Sequence, residues 1–281
     1  MNLAGFIEHA APLLPPDRFP NPRQTIRHLL QSSLSMNAMQ VHLNAQEDLD
    51  PVKLEELAQS LDDLVAGRPL AYVLGSVSFL EWEFAIDERA FIPRPETEAL
   101  VAMVREKRNM APSNKLILDL CCGSGVMGLG LALSFPQSQL ILAELDPNAL
   151  EVARSNTQRH QVDDRTQLVR SNLWQNLKAL KDIDVLLCNP PYVAGNERVG
   201  SEVLEHEPHL ALFSDDSGMQ HVKSVLMECE EHLAQGALAA FELGHLHREA
   251  LTPWLETHSW KGQFEWAQDP FGVPRFLLYQ V

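Results

Sequence analysis

The sequence predicts an α/β protein, a mostly parallel sheet covered by helices on both faces and preceded by a small helical domain. Three observations predict it. The first ~75 residues show helical periodicity and little else. A short aromatic-rich stretch with turn signals follows them. From about residue 113, apolar runs of strand length alternate with helical stretches, the pattern of a parallel sheet buried on both sides. At 281 residues and 45% hydrophobic content, the chain can build one large core, or one medium and one small core.

The helical region is clearest in "DPVKLEELAQSLDDLVAG", residues 50–67. Asp50 can cap a helix and Pro51 fits its first position. Val52, Leu54, Leu57, Leu61, Leu64 and Val65 are expected on one face, and Gly67 is a stop signal. "NPRQTIRHLLQSSL" gives another amphipathic stretch. No chemistry-bearing cluster occurs here, so the region reads as an accessory helical domain. "SVSFLEWEFAIDERAF", between Ser76 and Phe91, reads as a β-hairpin.

The alternating part opens with "KLILDL" (115–120) as a strand and "GVMGLGLALSF" as a helix. "QLILAEL" (139–145) is the next strand. "DPNALEVARSNTQRH" is a helix with Asp146 as its cap and Pro147 inside it. "TQLVRSN" (166–172), "DVLLC" (184–188), "ALAAFEL" (237–243) and "RFLLYQV" (275–281) are further strands. Ligands of such sheets bind at the carboxyl ends of the strands.

Charge and cysteine usage narrow the function classes. The 22 Lys and Arg against 38 Asp and Glu leave a net charge of −16, which repels phosphate backbones and argues against a nucleic-acid partner. The basic run "REKR" at 105–108 reads as the solvated end of a helix. The four cysteines, Cys121, Cys122, Cys188 and Cys229, form no CxxC pair and read as buried free thiols of a reducing compartment. No apolar run approaches a membrane span and no leader pattern is seen, so a soluble cytoplasmic protein is expected. His206 and His209 in "HEPH" are not expected to bind metal, since Pro208 interrupts them and no third ligand is signalled.

The chemistry-bearing residues fall at strand ends. "DLCCGSGVMG" links the first strand of the alternating part to its helix, and Gly123 and Gly125 allow a tight turn and close approach of a ligand. Glu144 ends the second strand, where an acidic side chain can accept hydrogen bonds from ribose hydroxyls. In "SNLW" (171–174), Asn172 can bond an adenine edge; Trp174 either borders that base or belongs to the core. "NPPY" (189–192) ends the fourth strand. Two prolines fix φ and remove two donors. The Asn189 Oδ1 and the Pro190 carbonyl then offer two acceptors, matching the two hydrogens of a planar NH₂ group, and Tyr192 can stack on that plane.

This combination resembles the class I S-adenosylmethionine-dependent methyltransferases, a Rossmann-like, mostly parallel fold, and among them the amino-methylating enzymes with an (Asn/Asp)-Pro-Pro-(Tyr/Phe) motif. More narrowly, the chain resembles the PrmC/HemK family, protein N5-glutamine methyltransferases of peptide chain release factors. "AGRPLAYVLGS" (66–76), "FIPRPETEALV" (91–101), "HEPHLALFSDDSG" (206–218) and "DPFGVPRFLLYQ" (269–280) carry the resemblance beyond "NPPY". It implies an N-terminal helical substrate-recognition domain at 1–75, a hairpin linker at 76–92 and a methyltransferase domain at 93–281.

By position the resemblance implies that Asp119, Cys121, Cys122, Gly123, Ser124, Gly125, Glu144, Asn172, Trp174 and Asn189 bind S-adenosylmethionine. It implies that Asn189, Pro190, Pro191 and Tyr192 hold the glutamine side chain, with Asn189, Pro190 and Tyr192 catalytic. S-adenosylhomocysteine is the implied product, and class I release factors the implied partner. "CCGSG" stands where the family more often has Gly-Thr-Gly-Thr-Gly, and Asn172 where Asp is usual. Arg94 and Glu96 either order the loop over the cofactor or pair with each other. "DLCCGSG" is also similar to sister enzymes that methylate a glutamine of a large-subunit ribosomal protein, although Pro95 and the helical N-terminus favour the release-factor branch. An amino methyltransferase of nucleic-acid bases shares the "NPPY" logic, but the acidic charge opposes it. A non-enzymatic scaffold would need neither motif.

Overall fold

A computed structural model describes residues 1–107 and 115–281 and divides them into two compact units. One unit is Met1–Ser76 with Ser201–His206; the other is Val77–Gly200 with Glu207–Val281.

The first unit is helical: α1 (Leu3–Ala10), α2 (Pro22–Ser33), α3 (Ala38–Leu43), α4 (Pro51–Val65) and α5 (Leu70–Leu74). Local sequence sets the starts. Asn2 caps α1 by accepting the Gly5 N–H at 2.8 Å, and Asp50 caps α4 by accepting the Val52 N–H at 2.9 Å. Asn37 and Gln40 form a reciprocal capping box on α3. Ile26, Leu29 and Leu30 of α2 pack with Leu57, Leu61 and Leu64 of α4 around Phe6 and Leu14. Each such leucine is worth about 2 kcal/mol of burial. Val52 and Val65 depart from the expected single face and are 64% and 45% exposed. At about 3.6 residues per turn Val52 lies on the side away from Leu57, and Val65 lies at the margin of the stripe.

The hairpin of β1 (Ser76–Phe79) and β2 (Trp82–Ala85), which belongs to the second unit from Val77 onward, is followed by α6 (Pro95–Lys107). Of the basic run, Arg105 and Lys107 close α6, paired with Glu81 and Glu265, while Arg108 lies outside the described residues. The chain continues through β3 (Leu116–Leu120), α7 (Val126–Ser134), β4 (Gln139–Glu144), α8 (Pro147–Arg159), β5 (Thr166–Arg170) and β6 (Ile183–Cys188). After α9 (Ser201–His206), which groups with the first unit, come α10 (Gln220–Cys229), β7 (Leu233–Glu242), α11 (His247–Glu256), β8 (Gln263–Ala267) and β9 (Phe276–Gln280).

The strands form one seven-stranded sheet in the order β5-β4-β3-β6-β7-β9-β8. The first five are parallel, and β9 pairs antiparallel with both β7 and β8. One face buries Phe79 and Phe84 of the hairpin with Leu100, Val101 and Val104 of α6 and the apolar faces of α7 and α8. The other buries Val222, Val225 and Leu226 of α10 with Leu251 and Leu255 of α11. Covering both faces is why "LILDL" and "IDVLLC" read as near-continuous apolar runs. β8 escapes sequence reading: it is a half-buried edge strand whose only signal is the alternation of Phe264 and Trp266. No helix among the described residues is long and apolar enough to cross a membrane.

Candidate active site

The pairing register sets four positions side by side at the carboxyl ends of the parallel strands. Leu120 of β3 is level with Ala143 of β4 and with Cys188 of β6, and Cys188 is level with Phe241 of β7. The residues that follow these are Glu144, Cys121, Asn189 and Glu242, which therefore stand in a row. The row crosses the switch point of the sheet: from β3 the chain runs outward to β4 and β5, then returns to lay β6 and β7 on the other side. Strand ends at such a point diverge and leave a crevice.

The loop from β3 to α7 wraps around Glu144. Cys121 adopts a left-handed conformation at φ 63°, and Gly123 and Gly125 follow at φ 53° and 80°. The Cys122 N–H donates to the Ala143 carbonyl at 3.1 Å and the Gly123 N–H to Glu144 Oε2 at 3.0 Å. Glu144 Oε1 accepts from the Leu145 and Asp146 amides at 2.7 and 3.1 Å. Burial raises the Glu144 carboxyl above its ordinary range, and these backbone donors pull it back. Asp146 accepts the Asn148 N–H at 2.8 Å and caps α8. A Cβ on Gly128 would lie 2.8 Å from the Asp119 Cβ, so α7 can seat on β3 only with glycine there. Wholly buried Asn156 of α8 ties the loop to the hairpin. It accepts from the Ala85 N–H at 2.7 Å and donates to the Ala85 and Ser124 carbonyls, each at 3.0 Å.

Across the crevice, Asn189, Pro191 and Tyr192 form the opposite wall. Asn189 Nδ2 donates to Oγ1 of buried Thr97, on α6, at 3.5 Å. Tyr192 meets His247 edge-on at 6.1 Å, and burial raises its hydroxyl, which stays protonated. Two segments close the rim. Arg94 pairs with buried Glu207 at 2.5 Å and lies 4.5 Å over the Phe91 ring, and Glu207 also accepts the Ile92 N–H at 3.1 Å. The partner of Arg94 is thus Glu207, in "HEPH", and not Glu96. The Val193 N–H donates to the Leu212 carbonyl at 2.8 Å and fixes the second segment.

The resulting cleft holds about 1110 Å³ of space open to solvent. It brings together Cys121 to Ser124, Glu144, Asn172, Asn189, Pro191 and Tyr192. Four sequence-predicted residues stand behind its wall. Asp119 lies below the strand end, wholly buried, with Oδ2 accepting the Gly128 N–H at 2.7 Å. Gly125 is the turn into α7, and Pro190 is buried beneath its neighbours. Trp174 is a correction. Ser171 Oγ donates to the Leu173 carbonyl at 2.6 Å and Leu173 takes φ 47°, a turn that drops Trp174 into the core. There its Nε1 donates to the Val225 carbonyl at 3.0 Å and its ring stacks on His232 at 4.2 Å; Leu173 lines the cleft instead. Sequence reasoning missed Thr97, His221, Leu210 and Glu242 as neighbours of the site. Of these only Glu242 carried a signal, a carboxylate at the carboxyl end of a parallel strand.

The residues fit S-adenosylmethionine. A carboxylate at the end of β4 suits a ribose diol, the glycine loop gives close backbone approach, and Leu173 and Ala149 offer apolar faces to a base.

The Methyltransferase small domain family matches residues 95–234, and the PrmC N-terminal domain matches residues 6–75. The release factor glutamine methyltransferase of Geobacter sulfurreducens is 31% identical over 263 residues, covering 92% of this chain and 89% of that protein. A bifunctional methyltransferase of Rickettsia bellii is 28% identical over 269 residues, 85% of this chain and 48% of that protein. The chain spans about half the length of such bifunctional relatives. Among solved structures, the catalytic domain of hMettl16, crystallised with a MAT2A 3′UTR hairpin, shares the fold at TM-score 0.57 and 17% identity, covering 76% of this chain and 79% of that one.

Proposed function

Because the chain belongs to the release factor glutamine methyltransferase family, we propose that it transfers a methyl group from S-adenosylmethionine to the side-chain amide nitrogen of a glutamine in a protein. The substrate of this reading is the Gly-Gly-Gln loop of a class I peptide chain release factor. The observation that carries it is the row of Glu144, Cys121 and Asn189 at the switch point, opening on one cleft.

An amide nitrogen is a weak nucleophile, because its lone pair is delocalised into the carbonyl. S-adenosylmethionine, when bound, supplies an electrophilic methyl on a sulfonium sulfur. The work left to the protein is orientation, worth as much as ~7–11 kcal/mol in well-aligned reactions. In this reading Glu144 accepts the ribose hydroxyls and the Cys121–Ser124 backbone follows the cofactor. The Asn189 Oδ1 accepts one amide hydrogen and the backbone carbonyl of Pro190, whose ring stays buried behind the wall, accepts the other, and together they direct the nitrogen's remaining lobe toward the methyl. They also stabilise the positive charge that develops there. Tyr192 stacks on the amide plane. The alkylated amide cation is a strong acid and sheds its proton to solvent, so the reading assigns no general base. In a protein of net charge −16, the substrate is a protein loop rather than a nucleic acid.

The test incubates the protein with labelled S-adenosylmethionine and, separately, unmethylated release factor, ribosomal proteins and DNA, and locates the label by mass spectrometry. The expected result is one methyl on the glutamine of the Gly-Gly-Gln loop, abolished in Asn189→Ala. Label confined to a ribosomal-protein glutamine would keep the chemistry and change the substrate. Label on bases would overturn the proposal.

A further inference from the structure

Glu242 closes β7 next to Asn189 and is 2% exposed. It is absent from the cleft wall, and nothing in the chemistry above uses it. The hydrogen-bonding side chains around it are those of the site: Thr97 and Asn189 both bond toward its carboxylate. Its second oxygen, Oε2, is buried and has no partner among the described residues. Around the carboxylate stand Glu96 of α6, Arg275 at the start of β9 and Tyr192. Arg275 itself is held at 2.9 Å by Asp269.

The two ends of an asparagine amide are nearly the same size, and what lies behind them decides which one faces the cleft. A threonine hydroxyl either donates or accepts, so Thr97 alone leaves both orientations open. An ionised carboxylate only accepts. Beside Glu242, the amide gains most with Nδ2 turned inward, and Nδ2 is the atom that donates to Thr97. Oδ1 is then left for the cleft, where a substrate NH₂ needs an acceptor. The inference deepens the amide-methylation reading and rests on it.

We propose that Glu242 is a positioning residue: its buried carboxylate, with Thr97, holds the Nδ2 side of Asn189 inward and so presents Oδ1 to the substrate amide. Protonation would turn one carboxyl oxygen into a donor and remove the bias. Burial is the largest cause raising this carboxyl to about 7; Glu96 adds to it, while Thr97, Arg275 and Asn189 oppose it. The bias is therefore present above about pH 7 and lost below it.

The experiment compares wild type with Glu242→Gln, which keeps shape but can point an NH₂ at Asn189. Steady-state methylation of unmethylated release factor should show kcat/KM about 100-fold lower in the variant. The dissociation constant for S-adenosylhomocysteine should be unchanged. The wild-type rate should rise with pH through about 7, and the variant's should be flat. Side-chain amide NMR reads the same switch without turnover: the Asn189 resonances, assigned against Asn189→Asp, should shift in wild type with a midpoint near pH 7 and stay fixed in Glu242→Gln. A wild type that methylates no release factor would sink the glutamine reading, and the NMR result would still decide this one. Equal kcat/KM with the same pH profile in both proteins would overturn the role of Glu242. So would Asn189 resonances that do not move with pH in wild type.

Discussion

Asp119→Asn is expected to stabilise the protein above neutrality and to lose that advantage in mild acid. Asp119 is wholly buried, its Oδ2 takes the Gly128 N–H at 2.7 Å, and its Oδ1 has no partner among the described residues. Burial is the main cause raising its carboxyl from 3.8 to about 7; the Gly128 N–H opposes this and the Glu144 charge adds to it. Between those values the folded chain keeps a proton that the unfolded chain has lost, so this group's contribution to stability falls as pH rises. The span, 7 − 3.8 = 3.2 pH units, corresponds to roughly 4 kcal/mol, all of it lost once pH is well above 7. Asparagine carries no charge and keeps an acceptor for Gly128. Its NH₂ replaces the unpartnered oxygen and costs about 1–3 kcal/mol. The net gain above neutrality is about 1–3 kcal/mol, or roughly 2–4 °C in Tm per kcal/mol. Urea unfolding at about pH 5, 7 and 8.5 measures it, and the gain should shrink to nothing at the lowest pH. A difference of one sign and size at every pH would refute the reasoning, because it would mean that Asp119 is already charged throughout.

Further outcomes follow from the site. Glu144→Ala should weaken S-adenosylhomocysteine binding about 10- to 100-fold by calorimetry, since it removes an acceptor of charge-assisted bonds worth ~1.5–3 kcal/mol. Trp174→Phe should lower stability by about 1–2 kcal/mol, through the lost bond to Val225, and leave cofactor affinity unchanged. A tenfold loss of that affinity, by about 1.4 kcal/mol, would put Trp174 in the cleft after all. Asn156→Ala should cost about 2–4 kcal/mol in urea unfolding, because the buried Ser124 carbonyl and the part-buried N–H and carbonyl of Ala85 lose their partner together. Arg94→Ala should destabilise by about 3 kcal/mol or more, by leaving Glu207 buried and unpaired, with Tm as the readout.

The sequence shows the fold where local rules dominate. Asp50 and Asp146 each precede a proline, and both are caps in the structure. Long apolar runs bounded by turn signals became β3, β4 and β6. The reading fails where tertiary context decides. Trp174 is an aromatic in the segment read as bordering the base, but the turn at Leu173 that buries it depends on a serine–carbonyl bond that no pattern announces. Likewise, Arg94 finds its partner 113 residues away, a separation at which spacing carries no information. Asn156 looks like any polar residue on the outside of a helix, although its amide ties together two segments remote in the chain.

The alignment of the site itself depends on an irregularity in β7. Ile183 pairs with Leu233, but two residues later Val185 pairs with Leu238, so β7 advances five positions where β6 advances two. The three extra residues, 5 − 2, are absorbed around Gly236, which sits at φ 76°. Had the first register continued, the residue level with Cys188 would be Leu238 and Glu242 would project four positions beyond the end of β6 instead of one. Because side chains alternate along a strand, an odd offset also exchanges the two faces. Glu242 would then lie on the α10 and α11 side, away from Thr97 on α6. The bulge therefore does two things in one step: it brings the carboxylate level with Asn189, and it turns it to the face from which it can reach the amide. A run such as "ALAAFEL" shows that a strand is present, but its phase against "IDVLLC" is set three residues earlier, by a loop-like stretch that hydrophobic pattern treats as featureless. This is why the acceptor at the end of β6 is legible from residues alone, and the group behind it only from the sheet.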